Sequence, residues 1–485
     1  MGPEKSVTST QLRARFAARL SSLYGEEVPA YATLVEVAHE VNQRVLAREG
    51  ADAERLGSIE RVSAERHGAI RVGSPRELGQ VARIFGALGM VPCGFYDLRD
   101  AAPAPIPVVS TAFRPVDPDE LAANPFRVFT SMLVPDDRRF FDADLTVRLE
   151  RFLDARELFP AELLALADVA LAHGELSAPD ADRYLDLAAA SFALSSEPVD
   201  RGWYTELERI SGVAADIGGV TTTHINHLTP RVLDIDDLYE SMQARGIEMI
   251  DEIQGPPRWE GPDVLLRQTS FRALSEPRLF RDPDGSVSRG TLRVRFGEVE
   301  ARGVALTPAG RELYDELVAR VDRRMAERPD LRRGDVAREV WSEGLPSTEL
   351  ELCLAGLANY TFRVDDAVAS GTALPGQAEA LESADLGSLV EAGALHPEPI
   401  VYEDFLPRSA AGIFASNLTD SGTMDAGQGG APRDAGWLSD VIGRELRVPE
   451  EVYAGQVQSS IRDAEARLGR RIRQRSTRSQ PRRGA

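Results

Sequence analysis

At 485 residues the chain has room for about three ordinary domain-sized units, and a composition 43% apolar and 27% charged is that of a soluble globular protein with a core of normal size. A formal net charge of −21 argues against nucleic acid as a partner for the body of the protein. No apolar run approaches the roughly 20 residues that span a bilayer, the opening MGPEKSVTS lacks the apolar core of a signal peptide, and Cys93 and Cys353 form neither a CxxC metal site nor a disulfide framework. The expectation is a cytoplasmic protein with no membrane and no nucleic-acid partner.

Residues 1–60 read as helices with apolar spacing, as in LRARFAARLSSLYG. Residues 61–135 form a first mixed module. It opens with an extended stretch, RHGAIRVG. Ser74 and Pro75 then start a helix that closes on Gly89. Strands VPCGFYDL, PIPVVSTAF and FRVFTSML follow, giving the order β-α-β-β-β. Residues 136–215 are a helical insertion whose last helix begins Ser-Ala-Pro, a cap with proline in the first turn. Residues 216–305 repeat the first module: strand TTTHINHLT, helix DIDDLYESMQARG ending at Gly246, then strands IEMIDEI, DVLLRQTSFRAL and TLRVRFGEVEA. Residues 306–466 read as helix and loop, with the loops at 372–400 and 419–436 rich in Gly, Ala, Ser and Asp. Residues 467–485 hold eight arginines and no acid, the pattern of a solvated, disordered tail. The expected fold is α+β: tandem βαβββ modules forming a curled central sheet around a metal cleft, flanked by helical insertions and a helical C-terminal part.

Only six histidines occur in the chain. Aligning the two modules by their first strands sets His67 opposite His224. The last strand of the second module carries Glu298 and Glu300, two apart and so on one face. Glutamate is depleted in strands, and on an inner face it needs a partner. Two imidazoles and a carboxylate suit a mononuclear non-haem Fe(II) site with open positions, and zinc with His₂Glu is the chemical competitor. His227, three residues from His224, faces the other way on a regular strand and is expected to support the site instead of forming it. Arg71, four residues after His67 on the same face, either meets a substrate carboxylate or pairs with one of the chain's acids.

The strings THINHLTPRVLDID, RHGAIRVG, FGEVEARGVALTPAGRELYDEL and YEDFLPRSAAGIFASNL resemble the 2-oxoadipate dioxygenase/decarboxylase family, also called hydroxyglutarate synthase, over roughly residues 10–460. The tandem modules are similar to those of the vicinal oxygen chelate superfamily. The resemblance implies His67, His224 and Glu298 as Fe(II) ligands and catalytic residues, and a 2-oxo dicarboxylic acid and O₂ as substrates. Arg71 would hold the distal carboxylate, with Ser409 closing the site. Where the family has a small apolar residue before that serine, this chain has Arg408. That arginine would strengthen dicarboxylate binding, change chain-length preference or point outward. The implied reaction converts 2-oxoadipate and O₂ to 2-hydroxyglutarate and CO₂ in lysine breakdown. The alternatives are an extradiol-type dioxygenase, a dioxygenase for another 2-oxo acid, or a non-catalytic binding member of the superfamily.

Overall fold

A computed structural model of the chain describes residues 6–101, 105–293, 295–417, 424–425 and 427–474. The arginine-rich tail beyond Gln474 and part of the 419–436 loop lie outside them. Among the described residues no helix is long and apolar enough to cross a membrane. The fold is mixed α+β with open sheets and many helices.

Two compact units divide the chain. The first comprises Met1–Gly255, Arg267–Ala301 and Asp404–Val448, and the second Pro256–Leu266, Arg302–Glu403 and Pro449–Ala485. Within the second unit, helices Pro308–Glu327, Arg333–Gly344 and Pro449–Leu468 accompany an antiparallel strand pair, Tyr360–Val364 with Leu395–Pro399. That pair corrects the sequence reading of this stretch as helix and loop alone.

The first unit opens with α1 (Ser9–Glu27) and α2 (Pro29–Glu49). The first module then follows its expected order: β1 (Arg66–Val72), α3 (Pro75–Ala87), β2 (Val91–Asp97), β3 (Val108–Arg114) and β4 (Arg127–Leu133). The Ser74 side chain accepts from Glu77 N to cap α3, and Gly89 takes φ +71° just beyond its end. Helices α4 (Ala143–Ala155), α5 (Ala161–His173) and α6 (Ala178–Ser191) form the insertion. After them come α7 (Gly212–Gly218), β5 (His227–Pro230) and α8 (Ile235–Ala244). The strand order in the main sheet is β2-β3-β4-β1-β5, with β1 parallel to β4 and antiparallel to β5.

The second module departs from the sequence reading in several places. TTTHINHLT is a strand only from His227 onward. Upstream, Asn226 N still reaches β1 at Ala69 O (2.8 Å), but Ile225 N donates to Phe192 O (2.9 Å) and Asn226 O accepts from the Tyr24 hydroxyl (3.0 Å). IEMIDEI forms no strand and makes an isolated bridge, Met249 to Phe271. DVLLRQTSFRAL contracts to β6 (Leu266–Ser270). The stretch read as one strand, TLRVRFGEVEA, is broken. Its first two residues end a hairpin, β7 (Glu276–Arg281) with β8 (Val287–Leu292), and its end forms β9 (Glu298–Arg302). Between them buried Arg295 turns to Glu276 (Nε to Oε1 2.9 Å), which takes the chain out of line. Gly297 lets that chain pass under Phe271: a Cβ there would meet the ring's Cε1 at 2.1 Å. β9 pairs with β6, and a parallel bridge from Arg231 to Glu300 links it to the end of β5.

Candidate active site

Strand alternation fixes which side chains share the cleft. On β1, His67, Ala69 and Arg71 face one way. Register sets Arg127, Phe129 and Ser131 of β4 beside them, and Thr229 and His227 of β5 on the other flank. β9 brings Glu298 and Glu300 to the same place.

His67, His227 and Glu298 converge, all three buried. His67 Nε2 lies 3.3 Å from His227 Nε2 and 3.6 Å from Glu298 Oε2, and His227 Nδ1 lies 3.3 Å from Glu298 Oε1. Although that close, His227 Nδ1 makes no hydrogen bond within the described structure. Burial drives the His227 pKa well below its ordinary value, and His67 and Arg71 push it further, so this imidazole is neutral. Burial raises the Glu298 pKa against the opposing pull of His67. Burial also lowers His67, but Glu300 and Glu298 outweigh it and the net change is upward. Two imidazoles and a buried carboxylate that lacks a full countercharge fit a divalent cation.

His224, expected as a ligand, is not in this group. Its Nε2 lies 3.5 Å from Asp216 Oδ1 and 3.1 Å from Asn226 Nδ2. The expectation rested on both histidines lying on one regular strand, and His224 precedes the strand. A correct signal was present in the helix starts. Seven residues separate His67 from Ser74, the N-cap of α3, and seven separate His227 from Asp234, the N-cap of α8. Counting back from the caps pairs His67 with His227.

Arg71 donates to Asp216 of α7, and Asp216 also accepts from Asn226 Nδ2 (2.9 Å). Burial raises the Asp216 pKa, but His224, Arg71 and Asn226 together bring it below the ordinary carboxylate value. Of the two readings the sequence left open for Arg71, the structure contains the ion pair. Asp216 itself was not anticipated.

The segment after Glu403 forms another wall. Asp404 receives both Nε and Nη2 of Arg114 at 2.8 and 2.9 Å, and both residues are fully buried. The next residue, Phe405, stands edge-on to the His67 ring with centroids 5.1 Å apart and packs against Phe129 and Tyr96. Helix α9 (Pro407–Asn417) then begins with Arg408 exposed and Ser409 buried. Of the three outcomes weighed for Arg408, its exposure fits the outward course best.

A family model described as 2-oxoadipate dioxygenase/decarboxylase matches residues 16–417. The chain belongs to this family. The 2-oxoadipate dioxygenase/decarboxylase of Mycobacterium tuberculosis is 54% identical over 466 residues, covering 95% of this chain and 100% of that protein. The Pseudomonas putida protein of the same name is 38% identical over 462 residues, covering 94% and 96%. Among solved structures, hydroxyglutarate synthase from P. putida in complex with 2-oxoadipate aligns with a TM-score of 0.80 and 35% identity, over 96% of this chain and 99% of that one. The resemblance to the 2-oxoadipate dioxygenase/decarboxylase family read from the sequence motifs is borne out.

Proposed function

We propose that this chain is a cytoplasmic Fe(II)-dependent dioxygenase/decarboxylase that converts 2-oxoadipate and O₂ to 2-hydroxyglutarate and CO₂ in lysine breakdown. The convergence of buried His67, His227 and Glu298 carries this reading, together with membership of the family. The two segments read from the sequence as repeated modules, each contributing a histidine seven residues before its helix cap, support a vicinal oxygen chelate-type architecture.

His67, His227 and Glu298 would hold the metal, two neutral donors and one anion leaving further coordination positions open. Divalent iron bound there supplies the redox capacity and the meeting point for a 2-oxo acid and O₂. The protein's own residues do the positioning. Arg71, steadied by Asp216, is assigned to the distal carboxylate of the substrate, and buried Ser409 to the segment that closes the site near the substrate. Phe405, Phe129 and Tyr96 cover the His67 side with apolar surface, which keeps bulk water from the reacting atoms.

Oxygen uptake and CO₂ release by the iron-loaded protein test the proposal. One-to-one consumption of O₂ with 2-oxoadipate and formation of 2-hydroxyglutarate is expected. An absence of O₂ uptake with every 2-oxo acid tried would overturn it.

A further inference from the structure

Glu300 is the second glutamate of the β9 strand, fully buried, and the metal triad does not use it. Its two oxygens are divided. Oε2 lies 2.8 Å from His67 Nδ1, and Oε1 accepts from Arg127 Nη1 at 3.2 Å. Arg127 continues to Glu65 (Nη2 to Oε1, 2.6 Å), and Glu65 accepts from Arg231 Nη1 at 2.9 Å. Arg231 is tied in turn to Leu56 O at 2.9 Å. Two acids and two arginines thus alternate behind His67, all buried.

We infer that Glu300 is a positioning residue that holds His67 in the Nδ1–H tautomer, so that Nε2 offers its lone pair toward Glu298 and His227. The inference rests on the reading of those three residues as metal ligands. An imidazole can present only one nitrogen as an acceptor, and the bond made by the other decides which. An acceptor oxygen at Nδ1 places the proton there. The arginine behind Glu300 makes the arrangement directional. A guanidinium only donates, so whatever faces Arg127 must accept.

This gives the isosteric change Glu300→Gln a specific consequence. The amide has one oxygen and one NH₂. Arg127 claims the oxygen, which leaves the NH₂ aimed at His67 Nδ1. Nδ1 must then accept, and the proton moves to Nε2, where it blocks the metal. Replacing Arg127 as well removes the claim on the oxygen and lets the amide turn round.

The test reads the tautomer directly, by ¹⁵N chemical shifts of His67 in metal-free protein at alkaline pH, and metal affinity separately, by Mn(II) titration. Native protein should show Nδ1–H. The E300Q variant should show Nε2–H and bind Mn(II) about 10- to 100-fold more weakly. The R127M/E300Q double variant should return to Nδ1–H with affinity within a few-fold of native, a rescue that a merely structural role would not give. Retention of Nδ1–H in E300Q, or failure of the double variant to restore it, overturns the inference. The metal reading fails separately, if H67A binds Mn(II) as native protein does while the tautomer switch is still seen.

Discussion

His224 is held neutral by its surroundings, and that makes stability depend on pH in a way that one substitution should remove. Burial lowers its pKa from the ordinary 6.5 to about 4, with Asp216 opposing and Arg295, Arg278 and Arg71 adding to the fall. The unfolded chain therefore takes up a proton on His224 near pH 6.5, and the folded chain only near pH 4. A folded pKa below the unfolded one means that the contribution is fully present above pH 6.5 and is lost as pH falls toward 4. The full difference corresponds to about 3 kcal/mol at 1.36 kcal/mol per pH unit, and about 2 kcal/mol of it is lost by pH 5. His224→Gln keeps an acceptor for Asn226 Nδ2 but cannot titrate. Urea unfolding of both proteins at pH 7.5 and pH 5 is the assay. Native protein should lose about 2 kcal/mol more than the variant between the two pH values. Equal losses would show that His224 is not a buried neutral group and would refute the reasoning.

Arg114→Met removes one partner of a buried bidentate pair and should destabilise the first unit by about 3–5 kcal/mol in urea unfolding. Converting Asp404 to Leu in the same chain should recover a large part of that loss, because no uncompensated charge then remains buried. Asp216→Asn takes the carboxylate from Arg71, and the KM for 2-oxoadipate should rise by at least about tenfold while kcat changes little in steady-state assays, since a hydrogen bond to a charged group contributes about 1.5–3 kcal/mol.

The first module was readable because its local signals agree. Ser74, Pro75 and Gly89 bracket a helix, and the flanking runs are β-branched and long enough to pair. The second module was not, because its strands are short and its backbone bonds elsewhere. Tyr24, some 200 residues upstream, takes both Asn226 O and Phe296 O (3.0 and 2.8 Å). No local pattern announces that contact. The hairpin β7–β8 was merged with β9 because Thr291, Arg293 and Arg295 alternate with apolar Leu292, Val294 and Phe296 in the sequence, a strand pattern that runs on toward Glu298 without a break. What breaks it is Arg295 turning to Glu276 and Glu27. The same mistaken regularity exchanged His224 for His227. His67, Glu298, Arg71 and Ser409 needed no strand parity across that irregular stretch, and each lies buried in the first unit. Arg408 has only its neighbour's burial to suggest an inward course, and one residue along a helix turns a side chain by about 100°.

Metal binding by two single variants tests the central claim most directly. Co(II) or Mn(II) titration of His227→Ala should show affinity reduced by several orders of magnitude or lost, and His224→Ala should bind with affinity within a few-fold of native. Loss of binding in His224→Ala with binding retained in His227→Ala would contradict the account.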